Sequence, residues 1–204
     1  FTSLQHPLVE NCIEQSGKIE KNSIVTGLNM AGKSTFLKSI ALNQIISTSF
    51  GIAFAKEYKT NLFHVITSLR LADDIINKKS KYYVEAERLI MIQDALKKQA
   101  CLCLIDEILT GTNTEERVIA STAILKKLSS NKDSIIIAAT HDTTIANKLE
   151  YAYKNYYFDG TIEGEQIKFD YLLKPGIVSR KNGLLILRFL GIDIDEDASD
   201  LQTV

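Results

Sequence analysis

Two apolar patterns alternate along this chain. Apolar runs cover residues 23–26, 100–105 and 134–140, and the last of these is rich in β-branched residues. Such runs are typical of strands buried on both faces of a parallel sheet. Apolar residues at helical spacing cover residues 36–47, 85–98, 115–128 and 143–149. Strands that alternate with helices predict an α/β fold with a mainly parallel sheet flanked by helices.

The last third of the chain carries a different pattern. Residues 151–169 are aromatic and alternating, with a turn signal at Asp159 and Gly160, which predicts a peripheral antiparallel hairpin. Residues 192–204 are acidic and weakly apolar, which predicts a flexible tail. Because no internal repeat and no linker interrupts the rest, we expect a single domain over residues 1–191.

A phosphate-binding loop pattern follows the first predicted strand. Residues 27–35 read Gly, four residues, then Gly-Lys-Ser-Thr, and a helical pattern comes next. In such a loop the backbone N–H groups and the helix N-terminus converge on phosphate oxygens. Lys33 would reach the β- and γ-phosphates, and the Ser34 hydroxyl would ligate Mg²⁺. The alternative is a chance match in a glycine turn, but the flanking strand and helix favour nucleotide binding.

Acidic residues and a histidine follow the next two apolar strands. Asp106 and Glu107 end the strand that begins near residue 100; Asp106 would hold Mg²⁺, and Glu107 would orient and deprotonate the attacking water. The alternative is a pair of acids that caps a strand. His141 follows the third strand, where we favour a γ-phosphate sensor over a histidine satisfied by backbone, because ligands bind at strand carboxyl ends.

Composition argues against several other classes of protein. The chain has 204 residues and a net charge of −1, so it is long enough for a full core and is a poor candidate for a nucleic-acid-binding module by itself. Cys101 and Cys103 alternate within an apolar strand, which predicts small buried side chains in a reducing, cytoplasmic setting. No run is long enough to span a membrane, and no signal peptide is visible. A start at Phe1 suggests a piece of a longer protein.

Taken together, these segments resemble the ATPase domain of the MutS family of DNA mismatch-repair proteins. The segments that carry the resemblance are residues 6–10, 26–35, 73–74, 80–85, 106–114, 139–141 and 175–183. Each segment alone is a weak signal. Their order and spacing together are specific, and they extend over nearly the whole chain.

The resemblance implies more than the residues do by themselves. It implies a P-loop NTPase fold of the ABC-like type, ATP or ADP with Mg²⁺ as ligands, and head-to-tail pairing with a second copy. Tyr171 would stack on adenine, Asn29 would contact the phosphates, and Ser80 would reach the partner's γ-phosphate, although Ser80 can also be a helix N-cap. The implied nucleotide-binding residues are Gly27, Leu28, Asn29, Met30, Ala31, Gly32, Lys33, Ser34, Thr35, Tyr171 and, in trans, Ser80.

Two hypotheses for the function remain open at this point. The first is an ATPase, weak as an isolated domain, that couples the nucleotide state to dimer and DNA-clamp conformation, with DNA bound through domains absent from this chain. The second is a nucleotide-gated dimerisation switch with little hydrolysis, in a MutS-related paralogue outside mismatch repair. The second is motivated by Leu109 and Thr110, where the mismatch-repair branch usually carries Gly-Arg.

Overall fold

A computed structural model describes residues 1–69, 81–110, 112–163 and 166–178. Several of the sequence predictions fall outside these ranges, namely Ser80, the pair at 73–74, the segment 179–183 and the tail at 192–204. The described residues contain no helix that is long and apolar enough to cross a membrane.

Within the described ranges, six strands form a sheet at the centre of the fold. Its strands are β1 (Ser23–Gly27), β2 (His64–Ser68), β3 (Cys101–Asp106), β4 (Ile135–Thr140), β5 (Lys154–Phe158) and β8 (Lys174–Pro175), and a separate pair is formed by β6 (Gly160–Glu163) and β7 (Gln166–Phe169). The strand order in the large sheet is β2-β3-β4-β1-β5-β8. All neighbours in it pair in parallel except β5 and β8, so the predicted, mainly parallel sheet is confirmed.

Helices cover both faces of this sheet, as predicted. They are α1 (Lys33–Phe50), α2 (Lys81–Leu96), α3 (Thr114–Leu128) and α4 (Thr143–Lys148). Successive side chains of a strand point to opposite faces. Val25 of β1 therefore belongs to the apolar cluster that contains Leu37 of α1, whereas its neighbour Ile24 belongs to the cluster that contains Leu89 of α2 and Leu125 of α3.

The two cysteines of β3 lie inside the core. Cys101 and Cys103 are buried side chains of the cluster that α2 and α3 cover. Burial raises the pKa of both thiols, that of Cys103 to about 12, because a thiolate would lose its hydration there. The prediction that these cysteines are small buried side chains is confirmed.

An antiparallel hairpin is present, as predicted, but its turn does not lie at Asp159 and Gly160. The strand before these residues, β5, pairs in parallel with β1 in the large sheet, and β6 begins directly after it. The antiparallel partner of β6 is β7, with Glu163 opposite Gln166. Asp159 and Gly160 thus mark the place where the chain leaves one sheet for another. The alternating sequence pattern continues through Asp159 and Gly160 because a strand lies on each side of them, β5 before and β6 after.

Strand β2 has no counterpart among the sequence predictions, although its Val65, Ile66 and Thr67 are β-branched residues of the kind that favours strands. The strand His64–Ser68 lies at the edge of the sheet and pairs with β3 alone among the described strands. Most of its side chains are only half-buried. An edge strand needs no continuous apolar run, so pairing with β3 decides its place more than its own hydrophobicity does.

Candidate active site

The carboxyl ends of three neighbouring strands form the site. Strand β4 lies between β1 and β3, with Thr26 paired to Thr140 and Asp106 paired to Ala139. The loops that leave these strands therefore start side by side. Segments that are far apart in sequence meet at this edge, which is where ligands bind in open parallel sheets.

The loop after β1 depends on two glycines. Gly27 has a φ of 146°, and a Cβ built on it would lie 2.6 Å from the backbone oxygen of Phe158. Gly32 has a φ of 107°, and its Cβ would lie 3.3 Å from Cδ1 of Tyr171. Both residues adopt a backbone conformation that suits glycine, so the loop packs closely against β5 and against the segment after β7.

Gly32 also begins α1 in a way that leaves its N-terminus accessible to a ligand. It is the N-cap of the helix, and no described side chain caps this end. The first N–H groups of a helix lack partners within the helix. The start of α1 is therefore suited to an anion, which the helix dipole also favours.

Lys33 is buried and folds back onto the loop that precedes it. Its Nζ donates hydrogen bonds to the backbone oxygens of Gly27 at 2.7 Å and Leu28 at 2.9 Å. These contacts hold the ammonium group inside the curve of the loop. The positive charge therefore lies where the loop N–H groups would bind phosphate oxygens.

A short hydrogen bond joins this loop to the acids after β3. Ser34 Oγ donates to Asp106 Oδ2 at 2.6 Å, across a sequence separation of 72 residues. Asp106 is buried, and its Oδ1 has no hydrogen-bond partner among the described residues. A buried carboxylate oxygen without a donor is costly, and a cation bound there would remove that cost.

The donor set at this point fits Mg²⁺. A hydroxyl and a carboxylate supply hard oxygen ligands, which Mg²⁺ prefers. The described residues contain no group of three or more His, Cys, Asp or Glu side chains that could hold a metal by themselves. Mg²⁺ characteristically completes such partial sites with water and substrate phosphates, so Ser34 and Asp106 fit an ion that arrives with a nucleotide.

Glu107 and His141 are brought together from two strands. Oε2 of Glu107 lies 3.0 Å from Nδ1 of His141, and the Glu107 backbone N–H donates to the oxygen of Ala139 at 2.9 Å. The Glu107 side chain is buried, whereas that of His141 is 44% exposed. The contact orients the carboxylate of Glu107, and it leaves the imidazole partly accessible from solvent.

A cleft of about 730 Å³ lies beside Asp106 and the loop after β1, and Glu107 and His141 are not among the residues that line it. Its volume is within the usual size range of small-molecule sites. Ser80 lies outside the described residues, so its contacts stay a prediction. Gly27 and Ala31 do not line the cleft because they are buried within the loop. Of the predicted residues, those that line the cleft are Leu28, Asn29, Met30, Gly32, Lys33, Ser34, Thr35, Asp106 and Tyr171.

Tyr171 forms part of the cleft wall next to Gly32. Its φ is 54°, and its ring lies 5.8 Å from that of Phe169. The buried amide of Gln15 holds this segment, because its Nε2 donates to the oxygen of Tyr171 at 2.5 Å and its Oε1 accepts from the Leu173 N–H at 3.0 Å. The position of Tyr171 thus depends on a residue 156 positions earlier in the chain.

Sequence reasoning missed the cleft wall formed by the N-terminal segment. This wall includes Leu4, His6, Val9, Asn11, Cys12, Ile13 and Gln15. Burial and the nearby charge of Lys38 lower the pKa of His6, and its Nδ1 accepts a hydrogen bond from the Leu8 N–H at 3.1 Å. Both effects favour the neutral form of the His6 imidazole. Only the resemblance of residues 6–10 to a family segment could have drawn attention to it.

A family model described as MutS domain V matches residues 23–197 of this chain. The chain belongs to the MutS family. This match confirms the resemblance to the MutS ATPase domain that the sequence motifs indicated, and it extends from the first strand of the sheet past the last described residue.

Curated relatives point to the same family. The chain is 31% identical over 201 residues, 95% of its length, to the DNA mismatch repair protein MSH3 of Saccharomyces cerevisiae (strain YJM789). The aligned region covers 20% of that protein. The chain is 28% identical over 177 residues, 85% of its length, to the DNA mismatch repair protein MutS of Natronomonas pharaonis, covering 20% of that protein. It is 29% identical over 174 residues, 83% of its length, to DNA mismatch repair protein MutS 2 of Haloarcula marismortui, covering 18%.

The chain thus spans about a fifth of the length of these MutS-family relatives. The shared part is the ATPase domain of the family, and the relatives' names assign DNA mismatch repair to the whole proteins.

Proposed function

We propose that this chain is the ATP-binding and ATP-hydrolysing domain of a MutS-like protein, and that its nucleotide state controls dimer and DNA-clamp conformation. The observation that carries the proposal is the 2.6 Å hydrogen bond from Ser34 Oγ to Asp106 Oδ2. It joins a loop suited to phosphates to a buried acid with an oxygen that lacks a donor among the described residues. Phosphate-transfer sites require these two parts side by side.

Nucleotide binding is the first step of this proposal. The loop of residues 27–35 and the start of α1 would bind the phosphates of ATP or ADP through backbone N–H groups, with Lys33 as the counter-charge. The parallel sheet and the loop between β1 and α1 support assignment to the P-loop NTPase class, of the ABC-like type. Tyr171 would pack on adenine, and its presence in the same cleft as Gly32 supports this role.

Mg²⁺ would be held by Ser34 and Asp106. The ion would supply positive charge to the phosphate oxygens as the bond to the γ-phosphate breaks. Asp106 accepts the Ser34 hydroxyl through one oxygen, so these two side chains are already close enough to share one ion. The chain's contribution is to keep both oxygens at the edge of the phosphate loop.

Glu107 would be the general base. Its carboxylate would orient the attacking water and accept its proton. The contact at 3.0 Å with His141 Nδ1 restricts the direction of this carboxylate, and His141 would sense the γ-phosphate through its other nitrogen. The two residues directly follow neighbouring strands of the sheet, so the pairing of those strands sets their relative position.

A second copy of the domain would complete the site. We propose head-to-tail pairing in which Ser80 reaches the γ-phosphate bound by the partner. DNA would bind through parts of the parent protein beyond this chain, as the names of the relatives suggest. A site that lacks its partner lacks part of the electrostatic stabilisation of the transition state, so a single copy would hydrolyse ATP slowly.

Two substitutions test the roles of the loop and the base. Lys33→Ala should lose both ATP binding and turnover, whereas Glu107→Gln should retain ATP binding and lose roughly 100-fold or more in turnover. Binding is measured with a fluorescent ATP analogue and turnover by phosphate release. Lys126→Ala, which changes an exposed lysine of α3, is the matched control and should behave as wild type. Normal turnover in Glu107→Gln would show that another group is the base.

The dependence of activity on protein concentration tests the paired site. Specific activity should rise with concentration in the wild type, and Ser80→Ala should abolish this rise. Dimerisation by ATP without phosphate release would instead favour the nucleotide-gated switch with little hydrolysis. Specific activity that stays constant over roughly a hundredfold range of concentration would argue against a composite site.

A further inference from the structure

A carboxylate on α2 holds the loop that carries the proposed base. Oε2 of Glu85 accepts the backbone N–H of Thr110 at 2.9 Å, and Oε1 accepts the Thr110 hydroxyl at 2.8 Å. Both oxygens of one acid are thus engaged by one residue, 25 positions later in the chain. We refer to this pair of hydrogen bonds as the Glu85–Thr110 clamp.

The loop held by this clamp has an unfavourable backbone conformation. Within residues 106–110, Glu107 has a φ of 61° and Leu109 a φ of 54°. The left-handed region is unfavourable for a residue with a Cβ, and two such residues lie only two positions apart. This segment can keep its shape only if contacts with the rest of the molecule hold it.

Contacts along the segment supply that restraint. At the start, the Glu107 N–H donates to a backbone oxygen of β4. In the middle, Leu109 is buried in the core cluster that also contains Leu89 of α2. At the end, the Glu85–Thr110 clamp holds the last backbone N–H. Since Glu85 lies one helical turn before Leu89, the clamp and the buried cluster involve the same face of α2.

We infer that Glu85 is a positioning residue for hydrolysis. It holds Thr110, which lies three residues after Glu107, and so it sets the direction of the Glu107 carboxylate, which contacts His141. This inference rests on the proposed function of Glu107. Because Glu85 bonds to Thr110 and not to Asp106, which is the residue joined to the loop of residues 27–35, we expect a larger effect on the rate of the chemical step than on nucleotide affinity.

Four variants of the full chain test the clamp. Glu85→Ala should lower kcat on the order of 10- to 100-fold, since small misplacements of a reacting group have effects of this size, with the affinity for a fluorescent ATP analogue unchanged within about twofold. Thr110→Val, which keeps the backbone bond, should lower kcat by less. Thr110→Ser keeps both bonds and should retain the wild-type kcat. Asp94→Ala removes an exposed acid from the same helix and should have no effect.

The double variant Glu85→Ala with Thr110→Val separates positioning from general destabilisation. If both residues act through the clamp, the double variant should lose no more kcat than Glu85→Ala alone. All measurements are made at a temperature at which circular dichroism finds each variant fully folded. Wild-type kcat in Glu85→Ala, an equal loss of kcat and affinity, or additive losses in the double variant would each overturn the inference.

Failure of the inference can be told apart from failure of the proposed function. If the wild type hydrolyses ATP, Glu107→Gln does not, and Glu85→Ala does so at the wild-type rate, only the positioning role is wrong. If Glu107→Gln hydrolyses ATP at the wild-type rate, the role of Glu107 is wrong and the inference about Glu85 is overturned with it.

Discussion

Two loops meet at the candidate site, and they hold their shapes by different means. The phosphate loop (residues 27–35) and the carboxylate loop (residues 106–110) are joined by the hydrogen bond from Ser34 to Asp106. Both contain residues with a positive φ. In the phosphate loop two of these are Gly27 and Gly32, whereas in the carboxylate loop they are Glu107 and Leu109.

This difference explains why the phosphate loop has a recognisable sequence motif and the carboxylate loop does not. The phosphate loop uses glycine where a Cβ would be strained, so its shape follows from residue types that are close together in the chain. The carboxylate loop must carry side chains where it bends, because Glu107 is the proposed base and Leu109 is 2% exposed in the core. Its shape therefore depends on contacts with α2 and β4, and no short motif specifies it.

The largest effect is expected where a glycine of the phosphate loop meets another backbone. Gly27→Ala should lower the free energy of unfolding by about 4 kcal/mol, because overpacking adds to the strain of a positive φ and the new Cβ would lie 2.6 Å from the Phe158 oxygen. Gly51→Ala is the matched control: Gly51 has a φ of 71°, and apart from its chain neighbours no described residue has an atom within 4 Å of the new Cβ, so this change should cost about 1 kcal/mol. Urea unfolding measures both values.

Equal losses in these two variants would contradict the comparison. They would show that backbone strain alone accounts for the cost at Gly27, and that the close approach of β5 to the phosphate loop contributes nothing to the choice of glycine there.

A smaller loss is expected when the carboxylate loop is given a glycine. Leu109→Gly relieves the strain at a φ of 54°, but it removes a buried leucine side chain, so the free energy of unfolding should fall by about 3 kcal/mol. Leu62→Gly, at a side chain that is 85% exposed, is the control and should change the free energy of unfolding by less than about 1 kcal/mol. A more stable Leu109→Gly variant would mean that backbone strain, and not packing, dominates this loop.

The smallest effect is expected at Met30, a residue of the phosphate loop that has a positive φ and is not glycine. Met30 has a φ of 70° and a side chain that is 87% exposed. Replacement by glycine would therefore relieve backbone strain and remove little buried surface. Met30→Gly should raise the free energy of unfolding by about 0.5 kcal/mol, since relief of strain slightly exceeds the added chain entropy. The same urea titration measures it. A loss above about 1 kcal/mol would show that the Met30 side chain supports the loop, against the contrast drawn with Leu109.

Much of the fold could be predicted because its strands are buried on both faces. The runs that form β1, β3 and β4 are continuous and apolar, and the helical periodicities located α1, α2, α3 and α4 to within a few residues. The edge strand β2 and the boundary between β5 and β6 were not predicted. Their placement depends on which strand lies beside them, and that information is distributed over distant parts of the chain.

The same division applies to the candidate site. Sequence motifs identified the four side chains that form two contacts at the site, because each motif follows a recognisable strand. These contacts, Ser34 with Asp106 and Glu107 with His141, agree with the predicted convergence of strand ends. The hydrogen-bond partners of Glu85 on α2 and of Gln15 in the N-terminal segment could not be predicted. The local sequence around a single acid or amide does not indicate which distant residue it will bind.

By itself, the sequence determined the α/β class, the family and the phosphate loop, because short-range backbone preferences and the periodicity of apolar residues act within a few positions of one another. Only the tertiary structure decided how the carboxylate loop is held, where Tyr171 lies and which wall closes the cleft. These features rest on hydrogen bonds such as those between Glu85 and Thr110 and between Gln15 and Tyr171. Such bonds form only after the sheet has brought distant segments together. The local sequence of one segment therefore cannot predict them.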